Sequence, residues 1–360
     1  MGNKTNSIHL PGINGLRAIA ALSVMWGHVF HPTFGEWGVA GFHLPVVADG
    51  VTLFFVISGF LITYLLLNEA EQTQQISIPK FYMRRILRIW PIYYLYMIVA
   101  LLVASSWSDS NVWYYLFFVA NIPFVLNNGI ALIVHYWSIG VEEQFYLFWP
   151  WLVKFTRGKQ KKLLLVAAVL CLTWLLLKWG AYIFVGKTTA YRFFAATRFD
   201  CMMIGAIGAI LFFTKNKRFN RLLGDRVLGV VSLLLLFFSQ PWSGIVPAPV
   251  RPQLLAVLSL FCIMSQLHNP VINLENRVCD FVGKISYGIY VIHPLLIFLL
   301  SKLYCQLHVG LPPGVDVVVI YILVTAVTVF VAWLSYRFFE SPFLKLKNRF
   351  AIVKSRSSMG

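Results

Sequence analysis

Charge is what this 360-residue chain has least of: only 12% of its residues are Asp, Glu, Lys or Arg, where a soluble domain carries about a quarter. Acids are the scarcer sign, 13 against 30 Lys and Arg. With 59% hydrophobic residues and a mean hydropathy of +0.74, this excludes an ordinary soluble domain and predicts an all-α integral membrane protein. The five cysteines, Cys171, Cys201, Cys262, Cys279 and Cys305, contain no CxxC pair and mostly sit in apolar runs. An odd number so placed makes neither a disulfide framework nor a zinc or other metal site. GxSxG, HExxH and the phosphate-binding GxxxxGK[ST] are all missing. No cleavable signal, internal repeat, low-complexity linker or appended soluble domain is visible, and the first apolar run is expected to stay as an anchor.

What is there is a series of apolar runs with aromatic ends, drawn from 12 Trp, 16 Tyr and 30 Phe. At roughly 20 residues per span, about ten transmembrane helices are expected, near 13–31, 50–68, 89–106, 138–154, 163–185, 198–213, 226–240, 252–268, 285–303 and 317–338. The apolar segment 111–127 is interrupted by Asn111, Asn121, Pro123 and Asn127. It is read as interfacial or re-entrant, with an eleventh span as the competing reading.

Loop charges orient the series. Basic residues gather in alternate loops, at Lys80, Arg84, Arg85 and Arg88, at Lys154 to Lys162, at Lys215 to Arg226, and again after Lys345. The opposite loops 32–49 and 107–137 hold no Lys or Arg. The positive-inside rule then places the N-terminus and the C-terminus in the cytoplasm. Most of the formal charge of +17 is therefore topology plus attraction to the lipid bilayer, and no nucleic acid partner is implied. The basic end, 341–360, reads as solvated.

Topology gives depth to the polar residues inside the spans. Arg17 and His28 are eleven residues apart, so they lie only ~20° apart around a helix. They are separated by about 16 Å along it. The pair faces one side at opposite depths, as expected of a helix lining a passage. Arg85 and Arg88 share a face at the depth of Arg17. They read either as positive-inside anchors or as a basic mouth that grips phosphates. In HYWSIGVEEQFYLFWPW, Glu142 and Glu143 are expected near the depth of His28, with Ser138 as a helix cap. The two carboxylates point about 100° apart, so at least one turns inward and can orient or charge-balance His28. Arg198 and Asp200, in RFDCMMIG, and Asp49, ahead of the second span, are placed at that same level. His293, followed by Pro294, reads first as a hydrogen-bonding group at a kink and stays a further candidate.

These pieces fall in ordered blocks: GLRAIAALSVMWGH, GVTLFFVISGFLIT, FYMRRILRIWPIYY, HYWSIGVEEQFYLFWP, RFDCMMIGAIGAI, GKISYGIYVIHP and YRFFESPF. Taken together, over roughly residues 10–344, they resemble the acyltransferase-3 family of multi-spanning membrane O-acyltransferases of bacterial surface glycans. The resemblance implies that Arg17 and His28 fill an Arg-x10-His pattern and Arg85 and Arg88 an Arg-x-x-Arg pattern, all needed for acyl transfer. It implies a membrane domain over 1–344, a short basic cytoplasmic tail over 345–360, and an inner-membrane, multi-pass location. The stand-alone form, without an esterase-like domain, is expected. No cofactor is expected to be bound permanently; acyl-CoA, most commonly acetyl-CoA, is the implied donor substrate and a polysaccharide or lipid-linked glycan the implied acceptor. On this expectation Arg17, Arg85 and Arg88 hold the CoA phosphates, while His28, with Glu142 or Glu143, acts as base or as acyl carrier. The alternatives are a transporter or flippase without transferase chemistry, and an acyltransferase acting on a small molecule such as a macrolide.

Overall fold

The computed structural model describes residues 8–38, 50–186, 188–239, 244–268, 270–307, 310–312 and 314–351; Asp49 and residues 352–360 of the basic end lie outside them. The regular structure in these residues is helical. The helices are α1 (Ile13–His28), α2 (Gly50–Thr73), α3 (Ile78–Ala104), α4 (Val112–Leu116), α5 (Asn121–Val125), α6 (Tyr136–Phe155), α7 (Gln160–Gly180), α8 (Thr189–Thr197), α9 (Phe199–Phe213), α10 (Lys217–Leu223), α11 (Arg226–Phe237), α12 (Arg251–His268), α13 (Arg277–Gln306), α14 (Val315–Ser335) and α15 (Ser341–Lys347). Each of the ten segments expected to span falls on one of them.

Six stretches are long and apolar enough to cross a membrane by length and composition: α2, α3, α7 with the turn that follows it, α8 joined to α9, α13, and α14 continued to Phe350. The others fall short for separate reasons. α1 and α11 have 16 and 12 residues, α6 carries Glu142, Glu143 and Lys154, and α12 is polar at both ends. Segment 111–127 forms no spanning helix. It breaks at Phe118, whose φ is 57°, into the five-residue helices α4 and α5. Five residues rise only about 7.5 Å. Its carbonyls are instead tied to neighbouring helices, Tyr115 O accepting from Tyr93 Oη at 2.7 Å and Phe118 O from Gln144 Nε2 at 3.0 Å.

Side-chain pairing gives the helix directions. Asn14 meets Asp280 and His28 meets His293, so α1 and α13 run parallel. Tyr287 bonds Ile89 and Tyr96 bonds Leu295, so α3 joins them. Ser58 meets Glu142 and Thr63 meets Trp149, so α2 and α6 are parallel to each other. Tyr136 meets Tyr93 while Leu147 meets Tyr82, so α6 runs against α3. Close approach is permitted by glycine where backbones touch. A Cβ on Gly59 would run into the Met202 carbonyl, and one on Gly283 into the Asn14 carbonyl. Around this centre, large apolar side chains such as Leu102, Leu147, Phe155, Leu165, Phe184 and Phe338 point outward, as a lipid-facing surface requires.

The expected solvated end is instead packed structure over residues 341–351. α15 and the 3-10 turn Asn348–Phe350 lie on α3, and the Phe350 carbonyl accepts from Arg84 Nη1 at 3.0 Å.

Candidate active site

The parallel register of α1 and α13 brings together two histidines whose sequence positions differ by 265. His28 Nδ1 and His293 Nε2 lie 2.8 Å apart, and the rings stack with centroids 5.1 Å apart. The protons of two neutral rings can be placed by elimination. His293 Nδ1 is 3.1 Å from the Ile289 carbonyl, which can only accept, so Nδ1 carries the hydrogen. His293 Nε2 is then a lone pair, and His28 Nδ1 donates to it. His28 Nε2 is left as a lone pair, and no described residue donates to it. His293 is fully buried, whereas His28 keeps partial exposure and packs under the Phe34 ring at 4.6 Å.

Pro294 shapes the surroundings. A proline inside a helix has no N–H and disturbs the carbonyls one turn back. Here Leu295 N–H donates to Tyr96 Oη at 3.1 Å, and the Val291 carbonyl accepts from His135 Nε2 at 3.2 Å. His135 was not singled out from the sequence, although it heads the HYWSIGVEEQ block. It is buried, its ring lies 5.3 Å from that of His293, and its Nδ1 has no hydrogen-bond partner.

The carboxylates do not join this layer. Glu142 Oε1 accepts from Ser58 Oγ at 2.8 Å and its Oε2 from Tyr146 Oη at 3.1 Å. Glu143 Oε2 accepts from Trp90 Nε1 at 3.2 Å. The partner of His28 is His293, not Glu142 or Glu143. The reason is depth: the histidine level sits at His135, just before α6, and Glu142 is seven residues and about 10 Å further along. Ser138 is not a cap either; its hydroxyl bonds Tyr290 Oη, and both reach the His135 carbonyl.

Below lies a cavity of about 810 Å3 lined by Arg17 from α1, Arg85 and Arg88 from α3, Glu142 and Tyr146 from α6, and residues of α2, α13 and α15. The three expected arginines thus come together. Among the described residues Arg17, Arg85 and Arg88 make no hydrogen bond or ion pair, and Arg85 Nε is buried without a partner. The Arg85 guanidinium lies over the Phe81 and Tyr146 rings, 5.7 Å from each centroid. Arg84 is different. Its Nη2 pairs with Glu69 at 3.0 Å, and the Glu69 side chain is 2% exposed, so Arg84 is committed to holding structure.

Of the expected passage from Arg17 to His28, the cavity makes the part beside Arg17. Val51, Phe54, Ser138 and Tyr290 line the cavity at its far end from Arg85, and neither His28 nor His293 lines it. Tyr290 is three residues before His293 on α13, and their rings are 5.9 Å apart. The hydrogen-bonded Ser138 and Tyr290 thus lie between the arginine cavity, which they line, and the histidine pair.

Arg198 and Asp200 belong elsewhere. Asp200 pairs with Lys178 at 2.6 Å, both side chains fully buried, and accepts from Gln253. Arg198 Nη1 donates to Thr52 Oγ1 at 2.8 Å. These bonds tie α7, α9, α12 and α2 together and do not reach His28.

An arginine cavity thus lies beside a histidine couple inside a bundle of apolar helices. Residues 10–337 match the family model for an acyltransferase domain, and the chain belongs to that family. A Staphylococcus aureus (strain COL) protein named by assignment as an O-acetyltransferase is 30% identical over 369 residues, covering 94% of this chain and 58% of its own length. O-acetyltransferase OatA of Staphylococcus aureus (strain NCTC 8325 / PS 47) is 28% identical over 375 residues, covering 94% of this chain and 57% of its own. The chain thus spans less than three fifths of these relatives. No solved structure matches it.

Proposed function

We propose that the chain is a multi-pass inner-membrane O-acetyltransferase that moves an acetyl group from cytoplasmic acetyl-CoA to a hydroxyl of a polysaccharide or lipid-linked glycan. The observation that carries this reading is the stacking of the two centres: unpaired Arg17, Arg85 and Arg88 around a cavity, with the His28–His293 couple beyond Ser138 and Tyr290. The family and the names of the O-acetyltransferase relatives support the chemistry. The loop charges, together with the opposed directions of α1, α3 and α13 against α2 and α6, support ten spans with both termini cytoplasmic.

On this reading the CoA phosphates sit on the three arginines, where guanidinium groups offer paired N–H donors. Glu142 accepts from Ser58 and Tyr146 and keeps that wall of the cavity in place. The pantetheine arm points at the Ser138–Tyr290 layer, which parts to admit the thioester. His28 Nε2 takes the proton of the acceptor hydroxyl as its oxygen attacks the thioester carbonyl. The resulting imidazolium still donates through Nδ1 to His293, which keeps the ring in place. Collapse of the tetrahedral intermediate breaks the C–S bond, and the leaving thiolate recovers the proton from His28.

The decisive experiment is acetyl transfer by purified protein in nanodiscs, given acetyl-CoA and acceptor glycan. Release of CoA that depends on both acceptor and His28 supports the reading. Normal turnover by inserted His28→Ala protein defeats it, and acetyl-His28 trapped by acid quench replaces the base with a covalent carrier.

A further inference from the structure

Two cations at the cavity come from outside both the motif series and the matched family residues: Lys345, which is exposed, and Lys347, which is half-buried. Lys347 ends α15, ten residues past the matched range 10–337, and its side chain lines the cavity with Arg17, Arg85 and Arg88. The segment that carries it is held from two sides. Arg84 donates through Nη1 to the Phe350 carbonyl at 3.0 Å and through Nη2 to Glu69 at 3.0 Å. Glu69 in turn accepts from the Ser77 N–H at 2.8 Å. A buried ion pair between α2 and α3 thus fixes where residues 341–351 lie.

Lys347 is half-buried, faces the fields of Arg88, Arg85 and Arg17, and makes no hydrogen bond or ion pair among the described residues. Holding an ammonium beside three unpaired guanidinium groups is repulsive, and the repulsion is strongest where water is partly excluded. A ligand bearing several phosphates between them turns that repulsion into attraction. We propose that Lys347 is a fourth phosphate-binding residue, and that residues 341–351 form a wall of the phosphate site against α3. The inference rests on reading the cavity as an acyl-CoA site. An acidic lipid headgroup carries the same phosphate chemistry, so the test separates the two.

Full-length protein is placed in nanodiscs of phosphatidylcholine, with and without phosphatidylglycerol, and CoA binding is measured by calorimetry. Loss of one charge-assisted contact predicts about tenfold weaker CoA binding for Lys347→Ala. Lys347→Arg is expected to bind like the wild type. So is Arg349→Ala, which removes the same charge two residues on, from an exposed side chain that does not line the cavity. Wild-type affinity in Lys347→Ala, with binding still weakened in Arg88→Ala, removes Lys347 from the site and leaves the acyl-CoA reading standing. Equal weakening in Arg349→Ala overturns the proposal in favour of general surface charge. A change in phosphatidylglycerol retention with CoA affinity unchanged overturns it in favour of a headgroup. Failure of the wild type to bind CoA at all defeats the acyl-CoA reading and this proposal with it.

Discussion

The two layers of the site handle polar groups in opposite ways. In the histidine layer hydrogen bonds run in a chain, from the Ile289 carbonyl through His293 to His28, whose Nε2 is left open, with His135 Nδ1 beside the chain also without a partner. In the arginine layer three guanidinium groups face a cavity with no hydrogen-bond or ion-pair partner among the described residues. A finished chain orients one atom for chemistry; a cluster of arginines, even with Glu142 and Glu340 in the same cavity wall, keeps N–H donors free for an anion. The contrast between Arg84 and Arg88, four residues apart on α3, makes the same point: one is locked to Glu69 and Phe350, the other faces the cavity unpaired.

That contrast can be broken experimentally. The largest effect is expected for His28→Ala, a ~10²–10⁴-fold loss of turnover with CoA affinity unchanged, as removal of a general base implies. Next is Arg84→Ala. It leaves the nearly buried Glu69 carboxylate unpaired, costing on the order of 3–5 kcal/mol, so thermal unfolding in detergent drops clearly, unlike for Arg88→Ala. His293→Phe removes the acceptor that holds His28 Nδ1; with a hydrogen bond to a charged ring at about 1.5–3 kcal/mol, turnover should fall roughly 10- to 100-fold. CoA binding by calorimetry should stay the same. Arg88→Ala is expected to reverse that pattern, with KM for acetyl-CoA raised about tenfold and kcat nearly kept, as loss of uniform binding predicts. The smallest effect is expected for Tyr290→Phe. It removes one hydroxyl from the separating layer, a change of about 1 kcal/mol, so turnover shifts only a few-fold and in step with pantetheine access.

Much of the lower layer was legible in the sequence because charge obeys the bilayer. Arginines at one depth in alternate loops had to gather at one face, and spacing alone put Arg17 under His28. The upper layer was harder to read. The carboxylates drew attention as obvious partners for His28, yet depth counted from an apolar window misplaced Glu142 and Glu143 by two turns of α6. His293 reads from the sequence as a hydrogen-bonding group before a proline, and it is one: its Nδ1 donates to the Ile289 carbonyl, while Tyr96 and His135 bond the backbone groups beside Pro294. Its second role comes from α1, which is 265 residues away and cannot be seen in local pattern. The basic end misled for a related reason, since a run of Lys and Arg looks solvated until Arg84 is found holding its backbone.

The sequence by itself determined the membrane class, the helical segments, the charge asymmetry of the loops and the common face of Arg17 and His28. Each of these follows from composition or helical period, which act over one turn or one span. Only the tertiary structure decided that His28 bonds His293, that Glu142 belongs with the arginines, that Ser138 and Tyr290 lie between the cavity and the histidine pair and that Lys347 faces the cavity. Those outcomes depend on the register between helices, and register is set by close packing at positions such as Gly59 and Gly283, where backbones from distant parts of the chain touch.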